Sequence, residues 1–137
     1  MKKITVPKDA KQHATAGPYS PVLEVKGGSL VVLSGQAAID MDGNIVGDTI
    51  EEQTKVTLEN CDRLLRNAGC TFADVFKVNA YLTDLQNWHR FNTVYAEVMG
   101  QPYPARIAVQ AGLLGKLLVE LEIWAVKGEQ THGQESI

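Results

Sequence analysis

The sequence predicts a small α/β domain of the α+β kind, a mixed sheet with two helices packed on one face. Three observations predict it. Two segments repeat apolar residues at helical spacing and end at glycines. Several other segments alternate apolar with polar residues, as strands with one buried face do. The order of these segments is strands, helix, strand, helix, strands.

The first helix is expected to open at Asp48-Thr49 and close at Gly69. Thr49-Ile50-Glu51-Glu52 has the form of a capping box, with carboxylates in the first turn where the helix dipole favours them. Leu58, Cys61, Leu65 and Ala68 recur on one face, with Leu64 beside them, and Gly69 suits a left-handed C-cap. The second helix opens after Asp84, carries Trp88, Phe91, Tyr95 and Val98 as its apolar stripe, and stops at Gly100.

Strands are expected at 22–25 and 30–38, and Gly27-Gly28 between them reads as a hairpin turn. Phe76, Val78, Ala80 and Leu82 alternate with Lys77, Asn79, Tyr81 and Thr83. Ala105, Ile107 and Val109 alternate with Arg106, Ala108 and Gln110, and Val119, Leu121, Ile123 and Ala125 with Glu120, Glu122 and Trp124. If the helices cover one sheet face, the other would carry Tyr81, Arg106, Glu120, Glu122 and Trp124. That mixture is too apolar for a free surface and too charged for a closed core. Burial against a second copy of the chain resolves the conflict, so a homo-oligomer is expected.

Composition narrows the function. The chain has 137 residues, enough for one domain with a substantial core, and 45% of them are hydrophobic. One domain over 1–128 is expected, followed by a flexible polar tail over 129–137. The formal net charge is -3 and the 13 Lys and Arg are scattered, which argues against a nucleic-acid partner. The start of the chain has no apolar signal-like core, no stretch is long enough to span a membrane, and Cys61 and Cys70 form no C-x-x-C. A cytoplasmic protein with reduced thiols is expected. No dinucleotide-binding, phosphate-loop or zinc-protease signature occurs. His13, His89 and His132 are far apart, so neither a metal site nor a Ser-His-Asp triad is expected.

Arg106 stands out, because a guanidinium on a half-buried strand needs an anionic partner. A clamp for a substrate carboxylate and a structural ion pair with Glu120 or Glu122 both fit, and the ion pair is the commoner outcome for such spacing. Glu120 and Glu122 are either general-base or water-orienting carboxylates, or solvated strand residues. Tyr19, in Gly17-Pro18-Tyr19-Ser20-Pro21, either covers a ligand or sits half-buried in an ordinary loop. Gly35, in Ser34-Gly35-Gln36, marks either a close backbone approach to a ligand or a bulge. Cys61 reads as core and Cys70 as a loop residue, while Asn92 borders the second stripe as a buried hydrogen-bonding candidate.

Taken in order, these segments resemble the Rid (YjgF) family. The matching pieces are Gly17-Pro18-Tyr19-Ser20-Pro21, Ser34-Gly35-Gln36, Glu52-Gln53-Thr54, Tyr81-Leu82-Thr83-Asp84, Asn92 with Val94-Tyr95, Pro104-Ala105-Arg106 and Val119-Glu120-Leu121-Glu122. The resemblance runs from about Gly17 to Val126 and implies a chorismate-mutase-like fold in a homotrimer with a barrel-like core and clefts between subunits. It implies hydrolytic deamination of short 2-imino acids or their enamine tautomers to 2-keto acids and ammonia, without a cofactor. By the same resemblance Arg106 holds the carboxylate, Glu120 orients water and Tyr19 faces the substrate, while Gly35, Asn92 and Ala108 line the cleft. Ala108 stands where relatives often carry Cys or Ser. The loop Gly112-Leu113-Leu114-Gly115-Lys116 is one residue short of the family pattern, so the choice of Glu120 over Glu122 rests on that gap. A non-catalytic carboxylate-binding trimer is the alternative, and an endoribonuclease or translation inhibitor the more distant one.

Overall fold

The protein is described as a computed structural model over residues 3–14 and 17–128. The tail over 129–137 lies outside the described residues, as do Met1 and Lys2 at the other end. Among the described residues, six strands and two α-helices follow in the order β1 (Ile4–Thr5), β2 (Glu24–Val25), β3 (Ser29–Ala37), α1 (Ile50–Asn67), β4 (Val75–Leu82), α2 (Trp88–Met99), β5 (Ala105–Gln110) and β6 (Val119–Lys127). The main sheet has the order β3-β6-β4-β5. Only its β4–β5 pair is parallel, with α2 as the crossover that parallel strands require.

Both helices cover one face of this sheet. Leu58, Cys61 and Leu65 of α1 and Phe91 and Tyr95 of α2 are buried against Val78, Ala80 and Leu82 of β4 and Leu121, Ile123 and Ala125 of β6. The helix ends follow their local chemistry. The Thr49 hydroxyl accepts from the Glu52 backbone at 3.1 Å, and the Glu52 carboxylate accepts from the Thr49 backbone at 3.0 Å, closing the expected capping box. Gly69 sits at φ 82 just past the Ala68 cap. Asp84 first caps a short 3-10 turn over Leu85–Asn87, and α2 starts only at Trp88.

Two expectations are corrected. The Gly27-Gly28 turn does not join a hairpin: β2 pairs with β1, while β3 pairs with β6, so the chain changes sheets there. Phe76 is not on the core face, because the register shifts between Val75 and Lys77. That shift turns Phe76 towards Trp124, whose ring meets it edge-on at 6.4 Å. Cys70 is a loop residue as expected, following the end of α1, and it is buried at 1% exposure.

The uncovered sheet face carries Leu30, Val32, Ile107, Val109 and Trp124 exposed, beside Glu120 and Glu122. Among the described residues no helix is long and apolar enough to cross a membrane.

Candidate active site

Arg106 lies on the helix face, not on the open one. It pairs with Val78 in the parallel ladder, and Val78 is wholly buried beneath the helices. Glu120 pairs with Tyr81 and flanks the buried Val119 and Leu121, so its side chain leaves the sheet on the opposite side. The ion pair between Arg106 and Glu120 or Glu122 is therefore corrected. Those carboxylates and the guanidinium are separated by the sheet itself.

Around Arg106 the packing is aromatic. Its guanidinium carbon lies 4.8 Å from the Tyr95 ring centre, 5.2 Å from Trp88, 5.5 Å from Phe91 and 5.7 Å from Tyr19. Trp88, Phe91 and Tyr95 come from one face of α2, whose stripe passes over β5. Tyr19 comes from the loop before β2, and that loop is fastened to the entrance of β5. The Ser20 backbone donates to the Pro104 carbonyl at 3.1 Å, and the Ser20 hydroxyl donates to the Tyr103 carbonyl. Gly17 closes the ring of contacts. A Cβ there would lie 3.5 Å from Arg106 Nη2 and 3.6 Å from Asn92 Nδ2, so both polar groups converge on this glycine.

The polar groups gathered here are unusual in being unspent. Arg106 is 9% exposed, yet Nε, Nη1 and Nη2 have no hydrogen-bond partner among the described residues. Asn92 Oδ1 and the Tyr95 hydroxyl are buried and, among the described residues, unpartnered as well. Burial, the largest influence, pulls the Arg106 pKa below its ordinary value, with Tyr95 and Tyr19 acting the other way. Burial pushes the Tyr95 phenol up. Both shifts disfavour the ionised form of a group taken out of water. Such a guanidinium can offer up to five N–H donors in a planar fork that matches a carboxylate.

The second group forms around Gly35. The register of β3 on β6 shifts between Leu33 and Gln36, which makes Ser34-Gly35 a bulge. The Glu120 carboxylate lies over the bare Cα of Gly35, so close that any Cβ there would overlap Glu120 Oε2. Glu122 is otherwise engaged, since Asn79 Nδ2 donates to its Oε1 at 2.8 Å.

The structure thus brings Arg106, Tyr19 and Asn92 together, and separately Glu120 and Gly35. Ala108 lies two residues along β5 from Arg106, half-buried and packed against the core. Trp88, Phe91 and Tyr95 were expected only as an apolar stripe. Their signal was that three successive core positions of one helix were all aromatic. Hollows also lie elsewhere: one of about 420 Å³ is bounded by Phe76, Lys77, Asn79, Ala105 and Trp124 on the open face, and one of about 550 Å³ by Gly47, Gln53, Thr83 and Lys116. Among the described residues no cluster of three or more His, Cys, Asp or Glu could hold a metal ion.

Comparison with known proteins places this geometry in context. Residues 10–127 match the family model described as Endoribonuclease L-PSP. A Schizosaccharomyces pombe protein, mmf2, described as mitochondrial, is 41% identical over 121 residues, covering 84% of this chain and 94% of that protein. The human 2-iminobutanoate/2-iminopropanoate deaminase is 32% identical, over 89% of each chain. Among solved structures, YyfB of Yersinia pestis, described as a protein of the conserved Rid family, superposes with a TM-score of 0.76 at 28% identity, covering 92% of this chain and 100% of that one.

Proposed function

The chain belongs to the Rid (YjgF) family, and from that premise we propose that it hydrolyses short 2-imino acids, or their enamine tautomers, to 2-keto acids and ammonia. The observation that carries the reading is Arg106: a buried cation with every N–H group unpartnered among the described residues. A carboxylate is the ligand whose two oxygens satisfy a planar guanidinium in pairs. Asn92 and Tyr19 border the same spot, one with an amide and the other with a half-buried ring.

In the proposed reaction Arg106 binds the carboxylate and so fixes the position of the adjacent C=N carbon. Glu120 accepts a hydrogen bond from a water and aims its lone pair at that carbon. Water adds, the nitrogen takes up a proton, and a carbinolamine forms. Its collapse makes the C=O bond, breaks the C–N bond and releases ammonia. A protonated imine is already electrophilic, so positioning supplies most of the rate. No step calls for a cofactor. Backbone groups at Gly35 and beside Ala108 are the proposed contacts for the nitrogen or the water.

Arg106 and Glu120 leave opposite faces of one sheet, so a single chain does not aim both at one small molecule. A homotrimer resolves this. The exposed apolar face with Ile107 and Trp124 becomes the contact between copies, and Glu120 of one copy joins Arg106 of the next across the cleft. The alternative, a carboxylate-binding trimer without catalysis, would use the same arginine but would not need Glu120.

The test is ammonia and keto-acid release from 2-iminobutanoate generated in situ, with Arg106→Ala and Glu120→Ala beside wild type. Acceleration by wild type is expected, falling about 10³-fold in kcat/KM for Arg106→Ala and about 10²-fold or more for Glu120→Ala. A well-folded wild type that does not accelerate release overturns the reading. Unchanged turnover in Glu120→Ala would remove that residue from it.

A further inference from the structure

We infer that Trp88 and Phe91 are positioning residues of the anion clamp: with Tyr19 and Tyr95 they form a collar of ring faces that holds the Arg106 guanidinium in a dry site while leaving its N–H groups free for a carboxylate. The inference rests on the proposed role of Arg106 and deepens it.

A buried guanidinium can be stabilised in three ways. A carboxylate side chain would neutralise it, and backbone carbonyls would occupy its N–H donors. Either solution would compete with a ligand for the same hydrogens. Ring faces are the third. Their negative quadrupoles attract a cation without accepting a directed hydrogen bond in the guanidinium plane. Arg106 uses the third almost alone. Its N–H groups have no acceptor among the described residues, while four ring centres lie within 4.8 to 5.7 Å of its central carbon. Significant cation–ring contacts occur about once per 70–80 residues, so four on one side chain exceed what core packing brings by chance.

The collar is divided in its attachment. Tyr95 and Phe91 are fully buried and wedge into the core, whereas Trp88 and Tyr19 are half-buried. Trp88 stands in the first turn of α2, directly after the Leu85–Asn87 turn, so its ring can be altered with less damage to the core than either buried ring. That makes it the residue on which to test the collar.

Two measurements are made on the full-length protein: the Kd for 2-oxobutanoate, a carboxylate that cannot be deaminated, and the KM and kcat for 2-iminobutanoate. Trp88→Leu is expected to weaken 2-oxobutanoate binding about five- to tenfold and raise KM in proportion, with kcat within about twofold of wild type. Trp88→Phe should recover most of the affinity. A series at position 88, from phenylalanine to its progressively fluorinated forms introduced site-specifically, keeps ring size while draining the ring face of negative charge. Affinity should fall stepwise along it, which a merely space-filling role would not produce. Affinity that is flat across the fluorinated series, or a Trp88→Leu protein that binds as wild type, overturns the collar and leaves the clamp standing. A folded wild type that binds no 2-oxobutanoate overturns both.

Discussion

Gln53, in the first turn of α1, and Arg106, beneath the helices on β5, are both buried polar side chains, and they have been treated in opposite ways. Gln53 is 1% exposed and spends its whole amide. Its Nε2 donates to the carbonyls of Gly47 and Lys116 at 3.1 and 3.0 Å, and its Oε1 accepts from the Leu118 backbone at 2.8 Å. It ties the approach to α1 to the loop that leads into β6. Arg106, at 9% exposure, spends none of its donors on the described residues. A satisfied buried polar group fixes architecture, and an unsatisfied one is a cost that folding alone does not explain. The contrast separates residues that build this molecule from residues that await something.

The largest expected effect breaks the Arg106 half of the contrast. Arg106→Met keeps the length and apolar character of the stem and removes a charge that burial disfavours. Deaminase kcat/KM should fall about 10³-fold while unfolding free energy stays level or rises by about 1 kcal/mol, read from urea melts. A strongly destabilised Arg106→Met would return the arginine to the structural class. Next comes Gln53→Leu, which strands a backbone N–H and two carbonyls in the interior. It should cost about 2–4 kcal/mol of stability in the same melts. Activity per folded molecule should hold near wild type.

The smallest effect sharpens the comparison with a third kind of buried group, the free thiol of Cys61 on the core stripe of α1. Burial pushes the Cys61 thiol up to about 12. A native pKa raised above the ordinary thiol value means the folded state holds its proton longer than the unfolded chain. Its contribution is complete below about pH 8.5 and is lost as pH rises towards 12. At pH 8 Cys61 should therefore resist a thiol-reactive dye until the protein is unfolded. Rapid native labelling at that position would show that α1 opens locally.

Much of the frame was legible in the residues. The Thr49-to-Glu52 capping box, the left-handed Gly69 and the clean alternation in β6 each depend on neighbours in sequence, and each is found as expected. What depends on partners far along the chain was not legible. Gly27 and Gly28 make a turn, but which strands flank it is decided by β1 and β6. The bulge before Lys77 reverses Phe76 without any glycine or proline to announce it. β5 alternates Ile107 and Val109 with Arg106 and Ala108, so hydrophobicity alone assigned the arginine to the wrong face. Only the aromatic side of α2, which has to pack somewhere, shows why the arginine is the inward residue. Gln53 stands out in the sequence only as part of a motif, and its two distant partners, Lys116 and Leu118, leave no local signal.

The packing of Trp88 against Arg106 also equips the protein with an optical gauge. An indole whose centre lies 5.2 Å from the guanidinium carbon of Arg106 has its transition energy set in part by the field of that charge. An anion arriving at the guanidinium would cancel much of the field, and the emission of Trp88 would change in colour. The other indole, Trp124, sits on the far side of the sheet against Phe76 and would serve as the steady background. Titrating unlabelled protein with small carboxylates in a fluorimeter would then rank its ligands before any reaction had been assayed.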